Sequence, residues 1–175
     1  MALTELIRIR EARPEDAGGI ARVHVDAWRD AYAALLPADH LAGLDYAKRA
    51  ADWARILGQP WSMQNTLVAE TTEADEGIVG FCGFGPIRSG PAQGEIYGLY
   101  ISSDWRELGI GRSLVERAFG ALRKRGINSA VIWCLEGNAA ARGFYARCGG
   151  RLLEKIRMDE LAGMSLPTVG FYWDL

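Results

Sequence analysis

Arg106-Glu107-Leu108-Gly109-Ile110-Gly111-Arg112-Ser113 is the stretch on which the fold turns. It joins a segment that reads as a strand, Gly94 to Ile101, to one that reads as a helix, Gly109 to Arg125. A strand-to-helix turn of this kind can aim several backbone N–H groups at one anion. Its glycines let a ligand approach the chain without a Cβ in the way. Arg106 and Arg112 can add charge-assisted bonds to phosphate oxygens. The octapeptide thus reads as a pyrophosphate cradle. Taken alone, it reads equally as a tight turn whose glycines serve chain reversal.

Two common nucleotide motifs fail at named residues. A dinucleotide fingerprint needs a third glycine where Leu114 stands, and a P-loop needs Lys after Gly111, where Arg112 stands.

Outward from this turn, the pattern predicts one mixed sheet with helices packed on it. Leu6 to Arg10 alternates apolar and basic residues, as a half-buried strand does. Pro14, Glu15 and Asp16 open a helix whose inward stripe is Ile20, Val23 and Ala27. Asp39 can cap a short helix, and Tyr46 to Leu57 reads as another. Thr66 to Glu70 and Ile78 to Phe84 form a hairpin around Asp75-Glu76-Gly77. On the strand Gly94 to Ile101, alternation puts Glu95, Tyr97, Leu99 and Ile101 on one face. The helix after the turn points Gly111, Leu114, Val115, Ala118 and Leu122 inward and ends at Gly126. Ser129 to Leu135 is a buried strand, and Asn138 caps a helix running to Cys148. Arg151 to Arg157 and Thr168 to Trp173 read as the last strands.

Composition bounds the function. The chain has 175 residues, 49% hydrophobic and 24% charged, with a net charge of -2. That fits one domain, residues 1–175, and no block of like charge offers a basic face for nucleic acid. Three cysteines and two histidines occur in no metal-ligand spacing, so neither a metal site nor a Ser-His-Asp triad is expected. The N-terminus does not read as a signal peptide, and no apolar run approaches the ~20 residues of a membrane span. The expected location is the cytoplasm, with no membrane partner.

Three further features accompany the turn: the strand Glu95-Ile96-Tyr97-Gly98-Leu99-Tyr100-Ile101 just upstream, the helix Asn138 to Gly149 with its N-x-x-A-x-x-x-Y-x-x-x-G spacing, and the opening strand followed by Pro14-Glu15-Asp16. Together they resemble the GNAT N-acetyltransferase family, over nearly the whole chain. Residues 106–111 match that family's [QR]-x-x-G-x-[GA] motif for the pyrophosphate of coenzyme A.

The resemblance implies an acyl-CoA N-acyltransferase fold, an α/β (α+β type) architecture with a mostly antiparallel central sheet. It implies acetyl-CoA as cosubstrate, without metal, and a small-molecule or peptide amine as acceptor, attacked directly in a ternary complex. Coenzyme contacts would come from Leu99, Tyr100 and Ile101, from Arg106, Glu107, Leu108, Gly109, Ile110, Gly111, Arg112 and Ser113, and from Asn138 and Tyr145. Tyr145 would also be the general acid. A phenol of pKa ~10 protonates a thiolate of pKa ~8.5 at a cost of only about 1.5 units. Glu95, eleven residues before Arg106, would be the general base, or an arginine-paired strand-edge carboxylate. An ammonium is about six units more basic than a glutamate, so Glu95 would need burial or an intervening water. Trp28, Tyr32 and Tyr97 are candidates for the acceptor pocket, with plain core packing as the other reading. The resemblance leaves open which amine is acetylated, whether the chain is a homodimer, and whether it is instead a silent acyl-CoA-binding sensor.

Overall fold

The computed structural model describes residues 6–60, 63–72 and 77–175. Eight strands form one sheet: β1 (Ile7–Glu11), β2 (Asn65–Thr71), β3 (Ile78–Pro86), β4 (Gly94–Ile101), β5 (Ser129–Leu135), β6 (Arg151–Leu152), β7 (Arg157–Leu161) and β8 (Met164–Asp174). Their spatial order is β1-β2-β3-β4-β5-β8-β6, with β7 beside β8. Every neighbouring pair is antiparallel except β4 and β5, which run parallel. This is the mixed, mostly antiparallel sheet expected. The helices are α1 (Ala17–Ala31), α2 (Ala38–Ala42), α3 (Tyr46–Leu57), α4 (Ile110–Lys124) and α5 (Ala139–Arg147).

Strand alternation divides the core in two. Val68 and Phe81 turn to one face, where they pack against Ile20, Val23 and Trp53 of α1 and α3. Leu67, Ala69, Cys82 and Phe84 turn to the other, against Leu114, Val115, Ala118 and Leu122 of α4. Because helices cover both faces, β2 and β3 are buried almost throughout. At one edge, Arg10 ties the sheet to the first turn: its guanidinium bonds Asp16 at 2.7 and 2.9 Å and Glu70 at 2.5 and 2.8 Å. These bonds hold the Glu70 carboxyl below its ordinary pKa, and with the Arg13 amide they hold Asp16 down against its burial.

Four expectations need correction. The face assigned to β4 fails because β4 itself carries a β-bulge: Gly83 pairs with Gly98, but Phe84 pairs with Ile96, leaving Tyr97 as the extra residue. One extra residue reverses the alternation. Ile96, Leu99 and Ile101 therefore share the α4 side, and Glu95 is not on it. Asp39 lies in the first turn of α2, and the capping position is Pro37, which makes no side-chain bond. The strand expected over residues 151–157 is two residues long, and β7 begins only at Arg157. β7 joins β8 through Ala162 and Gly163, both at positive φ (54° and 73°), a hairpin geometry that Leu-Ala-Gly-Met does not announce. β8 accordingly starts four residues before Thr168. The acidic turn of the first hairpin falls mostly outside the described residues.

His24 sits among rings on the α1 side. Trp53 Nε1 donates to its Nδ1 at 3.0 Å, and its ring stacks on Tyr100 with centroids 5.2 Å apart. Burial, helped by Arg49, lowers its pKa to about 3. An unfolded histidine titrates near 6.5. Below that pH the unfolded chain takes up a proton that the folded chain refuses. Stability is therefore full above about pH 6.5 and falls as pH drops toward 3, by ~2 kcal/mol at pH 5. We predict that urea denaturation at pH 7 and pH 5 shows a smaller acid loss for His24→Gln than for the natural chain. Equal losses would contradict the assignment.

Candidate active site

β4 and β5 pair at three positions only: Gly94 with Ala130, Glu95 with Val131, Ile96 with Ile132. Beyond these the two strands part, although β4 remains paired to β3 as far as Ile101 and β5 to β8 as far as Leu135. Among the described residues, the facing edges past the fork have no ladder partner, so their N–H and C=O groups are available to a ligand. A cavity of about 980 Å3 occupies the gap. Its walls include Tyr97 to Ile101 on one side and Ile132, Trp133 and Cys134 on the other.

The quoted turn stands at one end of this cavity. Glu107 and Gly109 both take positive φ, 63° and 81°, and α4 starts at the next residue. Ser113 N donates to Gly109 O at 3.0 Å, the first bond of the helix. The amides of Ile110, Gly111 and Arg112 precede that bond and have no helical acceptor. The α4 dipole adds partial positive charge at the same place. Arg106, Glu107, Gly109, Gly111 and Arg112 line the cavity. Leu108, Ile110 and Ser113 do not: Ile110 is a core residue and Ser113 spends its amide on the helix. A Cβ on Gly111 would lie 3.2 Å from Phe144, which also lines the cavity. Arg106 donates to Ile101 O at 3.2 Å and pairs with Asp30 of α1. That pair tethers the turn to α1, and no sequence pattern pointed to Asp30.

α5 supplies the opposite wall. The Asn138 side chain accepts from Ala141 N at 3.1 Å, as a cap should, and Asn138 also lines the cavity. Tyr145 projects from the same helix and is 5% exposed. No described residue hydrogen-bonds its hydroxyl. Burial raises its pKa well above the ordinary value. On the facing strand, burial also pushes the Cys134 thiol up to about 11.

The structure brings Tyr32 and Tyr97 to the cavity but not Trp28. Tyr32 meets Tyr100 hydroxyl to hydroxyl at 3.2 Å. Trp28 stands behind Tyr32, edge-on at 5.0 Å, and belongs to the packing. Burial pushes Tyr97 up to about 12, and its hydroxyl donates to the carbonyls of Pro86 and Met63. Glu95 is 2% exposed and does not line the cavity. Arg88 holds its carboxylate, with the amide N at 3.1 Å, Nε at 3.3 Å and Nη2 at 2.7 Å. No group of three or more His, Cys, Asp or Glu able to hold a metal occurs among the described residues. No helix among them is long and apolar enough to cross a membrane.

Residues 20–150 match the family model of the Acetyltransferase (GNAT) family. The chain is a member of the GNAT acetyltransferase family. It is thereby an acyltransferase of the acetyl-CoA-dependent class. A Bacillus subtilis relative, the uncharacterized N-acetyltransferase YuaI, is 32% identical over 170 residues, covering 96% of this chain and 93% of the relative. A GCN5-related N-acetyltransferase structure from Rhodopseudomonas palustris superposes with a TM-score of 0.73 at 23% identity, over 97% of this chain and 96% of that one. The PaiA N-acetyltransferase of Thermoplasma acidophilum, solved in complex with coenzyme A, gives 0.66 at 19% identity, over 93% and 97%. These two likenesses show that the forked sheet is the GNAT fold.

The cap on α5 gives a test. Replacing Asn138 with Ala removes the acceptor for Ala141 N and should cost about 1 kcal/mol. Denaturant unfolding checks it, and an unchanged midpoint would contradict the capping role.

Proposed function

We propose that this GNAT acetyltransferase moves the acetyl group of acetyl-CoA to a primary amine by direct attack, with the donor held in the β4–β5 fork. The observation that carries this is the fork itself, with the amide cradle at one end and Tyr145 in its wall. The pyrophosphate fits the amides of Ile110, Gly111 and Arg112, with Arg106 and Arg112 at its rim. The arm between phosphate and thioester fits the open edge of Leu99, Tyr100 and Ile101 as a surrogate strand. An N–H of that edge, which we assign to Leu99, would polarise the thioester carbonyl and hold the oxyanion.

In the reaction the amine nitrogen attacks the thioester carbon, and the carbon–sulfur bond breaks. The sulfur departs as a thiolate and takes its proton from the Tyr145 hydroxyl. Burial holds the Tyr145 hydroxyl protonated, so it is present as a donor when the thiolate departs. The amine loses its proton to water, because the Glu95 carboxylate is taken up by Arg88 and stands off the cavity wall. Cys134 lies on the wall, but burial keeps it a thiol, which supports direct attack over a thiol-bound intermediate.

Two variants test these roles. Tyr145→Phe should lower kcat about a hundredfold and leave acetyl-CoA affinity within a factor of about three. An unchanged kcat would reduce Tyr145 to packing. Gly111→Val drives a branched side chain toward Phe144 and the cradle, and should weaken acetyl-CoA binding at least about tenfold by calorimetry. Unaltered affinity would remove the cradle from the account.

A further inference from the structure

Tyr97 and Trp133 are the first residues past the fork, one on each strand. Ile96 and Ile132 just before them pack on the α4 side, so alternation turns Tyr97 and Trp133 to the opposite face. Each carries an arginine on its ring. The Arg88 guanidinium lies 4.2 Å from the Tyr97 centroid, and the Arg157 guanidinium 4.4 Å from that of Trp133. Each arginine is also held by a carboxylate. Glu95, almost wholly buried, fixes Arg88. Asp159 accepts from Arg157 Nε at 2.9 Å and is itself held by Thr168 Oγ1 at 3.0 Å.

The two arginines come from distant parts of the chain, and their segments touch. Arg88 belongs to the loop between β3 and β4, Arg157 to the start of β7. Arg157 Nη1 donates to Ser89 Oγ at 3.2 Å, in the residue next to Arg88. Gly90, at φ 128°, brings that loop down onto the Trp133 ring. Beneath it the indole Nε1 of Trp133 is buried with no hydrogen-bond partner. An unpaired buried donor is costly and calls for a ligand. Trp133 and Tyr97, the rings that carry the two guanidiniums, both line the fork cavity.

We infer that the acceptor is an amine that also carries a carboxylate, as a free amino acid does, and that Arg88, Arg157 and the Trp133 indole bind that carboxylate. This rests on the acyl-transfer reading of the fork. Stacked, pre-oriented guanidiniums recognise planar carboxylates through paired N–H donors. Glu95 and Asp159 already offset much of the positive charge, which suits a monoanion better than a phosphate dianion. Glu95 thus acts through Arg88 as a positioning residue. The arginines leave its carboxylate no role as a docking point for a cationic acceptor.

The test uses matched triplets of leucine, phenylalanine and methionine. Each amino acid is compared with its α-amide and its decarboxylated amine, in a thiol-release assay with acetyl-CoA. Acetyl-CoA binding is measured by calorimetry on the same samples. The free α-carboxylates should be acetylated with kcat/KM at least about tenfold above their amides. Arg157→Met and Arg88→Lys should each raise KM for the carboxylated acceptors about tenfold, with kcat within a factor of about two and acetyl-CoA affinity unchanged. Arg88→Lys keeps a cation beside Glu95, so folding is spared while the fork of donors is lost. Equal use of amides or amines overturns the inference, and so does an unchanged KM in both variants. Turnover of none of the amino acids by a protein that binds acetyl-CoA overturns it too, leaving the acyl-transfer reading in place. Failure of the natural chain to bind acetyl-CoA overturns both.

Discussion

Parallel pairing between β4 and β5 ends after three residues, and the rest of the molecule is organised around that early ending. A sheet interior does not tolerate an open seam unless something occupies it, since unpaired N–H and C=O groups cost as much as lost hydrogen bonds. The other sides of both strands are fully paired, which keeps the seam from closing by sliding. The bulge at Tyr97 contributes as well. By reversing the alternation of β4 within the fork, it sends Tyr97 to one face and Leu99 and Ile101 to the other. The two faces of the opening thereby differ in chemistry: an amide cradle and α5 on one, arginine-capped rings on the other.

The fork is held open from both sides by packing. On the α1 side, His24, Trp53, Phe81 and Tyr100 form a ring cluster that fixes the Tyr100 hydroxyl against that of Tyr32. Edge-to-face and stacked pairs of this kind add ~1 kcal/mol each beyond burial. On the α4 side, Phe144 lies close enough to Gly111 that no side chain fits between them without displacement. α1 and the cradle are further joined by Asp30 and Arg106. The turn at residues 106–113 and the helix α1 thus share one wall of the cavity.

Much of this was legible in the chain. The turn at residues 106–113 was half legible: alone it read equally as a cradle or a chain reversal, and the wider resemblance broke the tie. Asn138 was legible as a helix cap, and Tyr145 through the resemblance of residues 138–149 to the family's spacing. The face of β4 was not, because a bulge leaves no mark in Glu95-Ile96-Tyr97-Gly98; it exists only in the register against β3. Glu95 read as a base or as an arginine-paired carboxylate; the pairing is present, and its partner Arg88, seven residues upstream on a loop without periodicity, was not named in advance. Arg157, Asp30 and the β7–β8 hairpin lay beyond reach because each gains its role from a partner distant in sequence. Trp28 and Tyr32 read alike, as pocket or packing; only Tyr32 lines the cavity, a difference of depth that helical spacing does not encode.

The claim on which everything rests is that the open seam of β4 is filled by the acetyl donor. Backbone hydrogen exchange followed by mass spectrometry, with and without acetyl-CoA, tests it most directly. The account predicts added protection in peptides covering residues 97–101 and 109–112, and little change in β2, which is already paired on both sides. Protection confined to other segments, or none at a concentration that saturates binding, would contradict it.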